Sequence, residues 1–135
     1  MAKSLILSRV EQELTIICED RPGTLANVAR LLGKAKVNIL AMSCTMSGVQ
    51  GAVHIIVNDF QLAKSILDRE LISYNEHDVL YVELPNLPGA LAKFTEALAA
   101  KNINVTNAYG SSTKGSKKGI VIFRVSDLDK AASIH

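Results

Sequence analysis

A stretch of this chain occurs twice. Arg21-Pro22-Gly23-Thr24-Leu25-Ala26 returns 66 residues later as Leu87-Pro88-Gly89-Ala90-Leu91-Ala92. The same offset lays Leu14, Ile16 and Cys18 on Leu80, Val82 and Leu84, and Val37-Asn38-Ile39 on Ile103-Asn104-Val105. Further on the offset becomes 68, laying Val53, Ile55, Val57 and Asp59 on Val121, Phe123, Val125 and Asp127, so two residues have been inserted between those blocks. Duplication constrains the fold strongly, because each copy must be one supersecondary unit built to the same plan.

Each copy reads strand, helix, strand, strand, helix. Leu14 to Cys18 and Leu80 to Leu84 carry apolar residues at every second place, the period of a strand with one face on a core. Pro22-Gly23 and Pro88-Gly89 then turn the chain, and Leu25, Val28, Ala29 and Leu32, like Leu91, Phe94 and Leu98, recur at helical spacing. Asn38 to Met46 and Gly51 to Val57 form two strands around a Ser47-Gly48 turn, matched by Asn104 to Tyr109 and Gly119 to Val125. Asp59 and Asp127 stand where N-caps belong, opening helices through Leu62, Ala63 and Ile66 and through Leu128, Ala131 and Ala132.

A βαββαβ unit needs a last strand. The first copy has one to offer at Leu71 to Asn75, whereas the second runs out at Ile134-His135. Strand-like Ser4 to Val10 can fill the gap, since an offset of 66 lays Leu5-Ile6 on Leu71-Ile72. The expected organisation is a cyclically shifted duplication: residues 12–77 form the first repeat, residues 78–135 the second, and the strand at 4–10 completes the second.

With 48% hydrophobic residues in 135, such a chain can bury a core without staples. Cys18 and Cys44 lie in apolar runs with no C-x-x-C pairing, which reads as reduced thiols in a cytoplasmic protein. No apolar run approaches a membrane span, and a net charge of +2 does not point to nucleic acid.

The stretches Leu14 to Ile39 and Leu80 to Val105 resemble the ACT domain, a module that senses amino acids for enzymes of amino-acid metabolism. The resemblance is carried by Glu19-Asp20-Arg21-Pro22-Gly23-Thr24-Leu25 followed by Val37-Asn38-Ile39, and by Pro85-Asn86-Leu87-Pro88-Gly89-Ala90-Leu91 followed by Ile103-Asn104-Val105. It implies an α+β protein of two ferredoxin-like βαββαβ units with antiparallel sheets, side by side or paired through a homodimer. It also implies effector binding at unit interfaces, near the loop before the first helix and the start of the second strand. The residues so indicated are Asp20, Pro22, Gly23, Thr24, Leu25, Asn38 and Ile39, with Asn86, Pro88, Gly89, Ala90, Leu91, Asn104 and Val105 in the second copy.

The chemistry of these residues agrees. A helix N-terminus offers unpaired N–H groups and partial positive charge to a carboxylate, and an asparagine amide can both donate and accept. Asp20, standing where the second copy has Asn86, accepts from an ammonium but repels a carboxylate, so the two sites are expected to differ in affinity. Each residue also has a plain structural role to play: Pro-Gly turns the chain, Thr24 caps a helix, and Asn38 and Asn104 close the helix-to-strand turns. The turn role is preferred for the glycines and prolines, while both roles stay open for the asparagines.

Other chemistries lack support. Gly48-Val49-Gln50-Gly51 joins two strands instead of opening a helix, and Gly110 to Lys117 resembles a P-loop but has Ser116 where lysine is required. His54, His77 and His135 lack metal-ligand spacing, and no cofactor is indicated. Positions on the helix-free sheet face, Thr15, Ile17, His54, Ile56, Tyr81, Ile122 and Arg124, are too aliphatic to stack RNA bases and are expected to be covered. The expected protein is a non-catalytic regulator that binds an amino acid or similar metabolite and signals to a metabolic enzyme. The alternative is a permanently docked regulatory subunit of an acetolactate synthase or aspartokinase type of enzyme. Deleting residues 1–11 is expected to destabilise the second copy, seen as a lower melting temperature and lost protection of its amides; an unchanged melting curve would refute the shifted duplication.

Overall fold

The computed structural model describes residues 6–134. Its elements are β1 (Leu7–Glu19), α1 (Thr24–Lys34), β2 (Ile39–Met46), β3 (Gln50–Val57), α2 (Phe60–Arg69), β4 (Tyr74–Pro85), α3 (Ala90–Ala100), β5 (Val105–Ser111), β6 (Lys118–Val125) and α4 (Leu128–Ala132). Contacts divide the chain into a unit of residues 12–77 and a unit that joins residues before 12 to residues from 78 onward. Both β1 and β4 therefore contribute residues to each unit.

In the first unit β3 lies between β1 and β2, antiparallel to both, with Leu14 opposite Ile55, Ile16 opposite Val53, and Met42 and Cys44 opposite Ile55 and Val53. On the other side of β1 the chain entering β4 supplies a fourth strand, and Ile17 N–H donates to the Ser73 carbonyl over 3.0 Å. That strand begins at Tyr74 rather than at Leu71. Leu71 instead ends the turn after α2 in a left-handed conformation, φ 57°. Alternating residues of β1 and β3 bury Leu14, Ile16, Val53 and Ile55 against Val28 and Leu32 of α1 and Ala63, Ile66 and Leu67 of α2.

The second unit repeats the plan with β6 between β4 and β5, setting Leu80 opposite Phe123 and Val82 opposite Val121. Its core gathers Leu80, Val82, Leu84, Phe94, Leu98, Ile103, Phe123, Ala131 and Ile134, and Ile6 packs against that cluster. Ser8 Oγ donates to the Ile134 carbonyl at 3.5 Å. Of the strand expected at 4–10, residues 4 and 5 lie outside the described residues, as does His135. Even the irregularities recur: the register slips between Ile39 and Ala41 and again between Val105 and Asn107.

Two differences from the sequence pattern matter. Leu25 and Leu91, apolar and in phase with the buried helix positions, are 38% and 52% exposed because they open their helices beyond the reach of the core clusters. Where the first copy has Val28 and Ile55, the second has Phe94 and Phe123, whose rings meet at 5.4 Å between centroids. On the helix-free side Thr15, Ile56, Tyr81 and Ile122 are all buried. Truncation of Phe94 to alanine removes one ring of a fully buried pair and is expected to cost about 3–5 kcal/mol by urea unfolding.

Candidate functional site

The two Pro-Gly turns decide how α1 and α3 begin. Gly23 and Gly89 are the N-cap residues and sit at φ 89° and 88°, in the left-handed region that strains any residue with a Cβ. Space is not the reason, for a Cβ at either glycine meets nothing within 4 Å. A glycine cap has no side chain to satisfy the first helical N–H groups, and neither helix has a side-chain cap. The two helices that open on aspartate behave otherwise: Asp59 accepts from Leu62 N–H at 3.1 Å and Asp127 from Lys130 N–H at 3.0 Å. Thr24 does not cap α1 either, because its hydroxyl donates back to the Glu19 carbonyl at 2.9 Å. Thr24 N–H donates to the Arg21 carbonyl at 3.4 Å and Ala90 N–H to the Leu87 carbonyl at 3.2 Å, so it is the next amides, of Leu25 and Ala26 in α1 and of Leu91 and Ala92 in α3, that keep their capacity for an outside acceptor.

Beside the first turn lies a cleft of about 650 Å³. Ile16 to Glu19 of β1, Arg21 to Thr24 of the turn, Asn27 and Val28 of α1, and Leu71 to Ser73 before β4 line it. Its lining includes apolar Ile16, Cys18, Val28 and Ile72, but most of the surface it presents is polar, and Glu19 and Arg21 form an exposed ion pair at 3.1 Å. Burial pushes the Cys18 thiol up from its ordinary pKa, with nearby Cys44 and Asp20 adding to the effect. The thiolate fraction falls accordingly, which leaves Cys18 a lining group rather than a nucleophile. Leu71 stands 92% exposed at the mouth.

The second turn has a cleft of about 270 Å³, lined by Leu84 to Leu87, Ala90 and Leu91, and by residues of β5 and β6 including Gly110, Ser111, Ile120 and Val121. It opens toward the β5–β6 hairpin, whereas the first opens toward the chain entering β4.

The residues singled out from the sequence divide among several places. Pro22, Gly23 and Thr24 line the first cleft, and Asn86, Ala90 and Leu91 the second. Pro88 and Gly89 form the turn beside the second cleft without lining it, and Leu25 does the same at the first. Asn38 and Ile39, with Asn104 and Val105, lie at the far ends of α1 and α3, each eleven residues long and so roughly 16 Å at about 1.5 Å per residue. There Asn38 N–H donates to Asn58 Oδ1 at 2.8 Å and Asn104 N–H to Ser126 Oγ at 2.9 Å, closing the helix-to-strand turns. Within one unit, then, the asparagines do not converge with the Pro-Gly turn. Glu19 and Arg21 enter the sequence reading only as carriers of the resemblance, and Asn27 and Leu71 to Ser73 not as site residues, the last three because only the folded chain brings the α2–β4 connection alongside the first turn.

Asp20 and Asn86 hold the hairpin opposite each turn. Asp20 Oδ2 accepts from Gly48 N–H at 2.9 Å. Asn86 Nδ2 donates to the carbonyls of Ser116 at 2.9 Å and Thr113 at 3.4 Å, while its Oδ1 accepts from Ser112 Oγ at 3.1 Å. A short hairpin presents an N–H and meets an acceptor; the hairpin lengthened by two residues presents carbonyls and meets a donor. The aspartate-to-asparagine difference therefore has an architectural cause.

On the helix-free face of the first unit, buried Glu13 lies 3.4 Å from His54 Nδ1, which is 3.0 Å from Thr15 Oγ1. The second copy has Val79, Ile122 and Tyr81 at these places. Among the described residues no group of three or more His, Cys, Asp or Glu side chains is arranged to hold a metal, and no helix is long and apolar enough to cross a membrane.

Comparison with known families agrees with the duplication: the family described as the ACT domain pair matches residues 9–135. The chain belongs to that family. Aspartokinase of Corynebacterium glutamicum is 30% identical over 139 residues, which cover 90% of the chain and 32% of the enzyme. This ACT pair thus spans about a third of the length of that relative. Among solved structures, a Bacteroides thetaiotaomicron protein aligns with TM-score 0.85 at 29% identity, covering 92% of the chain and 85% of its own. The ligand-free regulatory subunit of aspartate kinase from Thermus thermophilus shares the fold with TM-score 0.73 at 16% identity, covering 96% and 93%.

The hairpin ties make an asymmetric prediction. Asn86→Asp sets a carboxylate against two carbonyl oxygens and is expected to cost about 1–3 kcal/mol, whereas Asp20→Asn keeps an acceptor for Gly48 and is expected to cost under about 1 kcal/mol. Urea unfolding of the two variants reads the difference.

Proposed function

We propose that this ACT pair is a non-catalytic regulator that binds an amino acid or a similar small zwitterion in the cleft beside Pro22-Gly23 and passes the bound state to an enzyme of amino-acid metabolism. The observation that carries the reading is the coincidence of three features in one cleft. The amides of Leu25 and Ala26 at the start of α1 suit a carboxylate; the Glu19 and Arg21 pair offers each end of a zwitterion a partner of opposite charge; and Ile16, Cys18, Val28 and Ile72 add an apolar part to a mainly polar lining, which suits a small guest with a short side chain. Thr24 lines the cleft with Pro22 and Gly23, while Asp20 and Leu25 flank the turn in sequence. Ala90 and Leu91 line the second, smaller cleft and Pro88 and Gly89 form the turn beside it, but the proposed zwitterion site is the first cleft alone. Asn38, Ile39, Asn104 and Val105 belong to the proposal only as groups that another copy of the chain would bring to a turn.

A homodimer is part of the same reading. Edge strand β2 carries no charged residue or proline, and its Leu40 and Met42 are 41% and 42% exposed, an edge that natural sheets ordinarily protect. Signalling then follows by population shift, because a ligand favours whichever assembled state binds it better. A second reading, a subunit docked permanently on its enzyme, is favoured by the Thermus thermophilus neighbour, which is itself a regulatory subunit of aspartate kinase.

Thermal unfolding with the common amino acids tests the proposal. A ligand at about 100 times its dissociation constant adds about 2.7 kcal/mol, worth roughly 5–10 °C in a domain of this size. One or a few amino acids are expected to give such a rise and Arg21→Ala to abolish it. Uniform silence would favour the docked subunit.

A further inference from the structure

We propose that the second unit carries a docking surface for an acidic segment of a partner protein, formed by the cleft beside Leu87 and Leu91 and the lysine-bearing hairpin tip between β5 and β6. The surface is separate from the zwitterion cleft of the first unit, and neither proposal needs the other.

The two copies provide an internal control. Position 21 is arginine in the first copy and position 87 is leucine in the second, 62% exposed. The first hairpin tip, Ser47 to Gln50, has no charged residue, whereas the second is longer by two and holds Lys114, Lys117 and Lys118, all exposed. The first unit reaches the same strand order without the leucine, the insertion or the lysines, so folding does not require them.

Three further features make the surface suited to binding. Leu84, Leu87, Leu91, Ile120 and Val121 give the cleft an apolar lining of the kind that seats an anchoring side chain. None of the three lysine ammonium groups meets a carboxylate among the described residues, so their charge is available to an incoming acid. The tip is also held in place: Asn86 ties it through its side chain to Ser112, Thr113 and Ser116, and its N–H donates to the Lys117 carbonyl at 2.9 Å. A tied loop loses less conformational freedom on binding than a loose one. An apolar centre beside charges of one sign fits a segment of the opposite sign built around an aliphatic anchor. Nucleic acid fits less well, because no aromatic residue lines the cleft to stack a base.

The test uses the full chain and fluorescence anisotropy with a short labelled peptide, one leucine set among glutamates. Control peptides replace the leucine by alanine or the glutamates by lysines. The acidic leucine peptide is expected to bind at least about tenfold more tightly than the charge-reversed one, and to weaken as salt rises from about 50 to about 500 mM. The triple variant Lys114→Glu, Lys117→Glu, Lys118→Glu is expected to lose about tenfold or more, and the glutamine triple an intermediate amount. Leu87→Ser is expected to lose about three- to tenfold with the leucine peptide and little with the alanine peptide. Circular dichroism establishes that each variant is folded. Equal binding of acidic and charge-reversed peptides would overturn the proposal, as would indifference to both lysine triples. It would also fail if oligouridylate displaced the probe while Leu87→Ser left the affinity unchanged, since the contact would then be a general attraction for polyanions.

Discussion

Two peptide units held in the left-handed region, at Gly23 and Gly89, set the terms for everything near them. The conformation lets a strand end and a helix start with four residues between them, Asp20 to Gly23 and Asn86 to Gly89, which places the helix back across the sheet it has just left. Because the residue that achieves this has no side chain, the helix begins without a cap. Where the cap residue keeps a negative φ, as at Asp59 of α2 and Asp127 of α4, an aspartate side chain supplies that cap instead. The same backbone constraint thus turns the chain and leaves a pair of donors unspent.

What was legible in the sequence was whatever a local pattern repeats. Alternation at Leu14, Ile16, Cys18 and at Leu80, Val82, Leu84 marked strands, and the aspartates at 59 and 127 marked helix starts through their short acceptor side chains. The repeat itself marked the ACT pair. Residues from opposite ends of a unit meet only after folding, and no period betrays that Leu71 to Ser73 border the turn at Pro22-Gly23. The side chains that invite a ligand reading most readily proved harder to judge. Asp20 and Asn86 combine donors and acceptors in a manner suited to a zwitterion, yet the structure gives them to the hairpins.

The duplicated plan also shows where the copies have parted. Buried Glu13 with His54 and Thr15 in one unit answers to Val79, Ile122 and Tyr81 in the other, and the Val28 and Ile55 pair answers to two phenyl rings. Burying a carboxylate is costly unless it is partnered, so the first unit has accepted a polar cluster that its sister shows to be dispensable for the fold. Divergence of this kind separates the demands of the shared architecture from the demands on each half.

The tie between turn and hairpin has an evolutionary corollary. The longer second hairpin sets carbonyl oxygens where the first sets an amide hydrogen, and an aspartate opposite them would have had no proton to donate. The coupling between insertion and side chain therefore runs mainly one way: the long hairpin is harmful opposite an aspartate, whereas an asparagine opposite the short hairpin is tolerated, so selection would have favoured the side chain before or with the insertion. Among sister sequences the size of this hairpin should track the ability of the residue before the Pro-Gly turn to donate, so that swapping one loop between lineages without its matching residue breeds misfit hybrids.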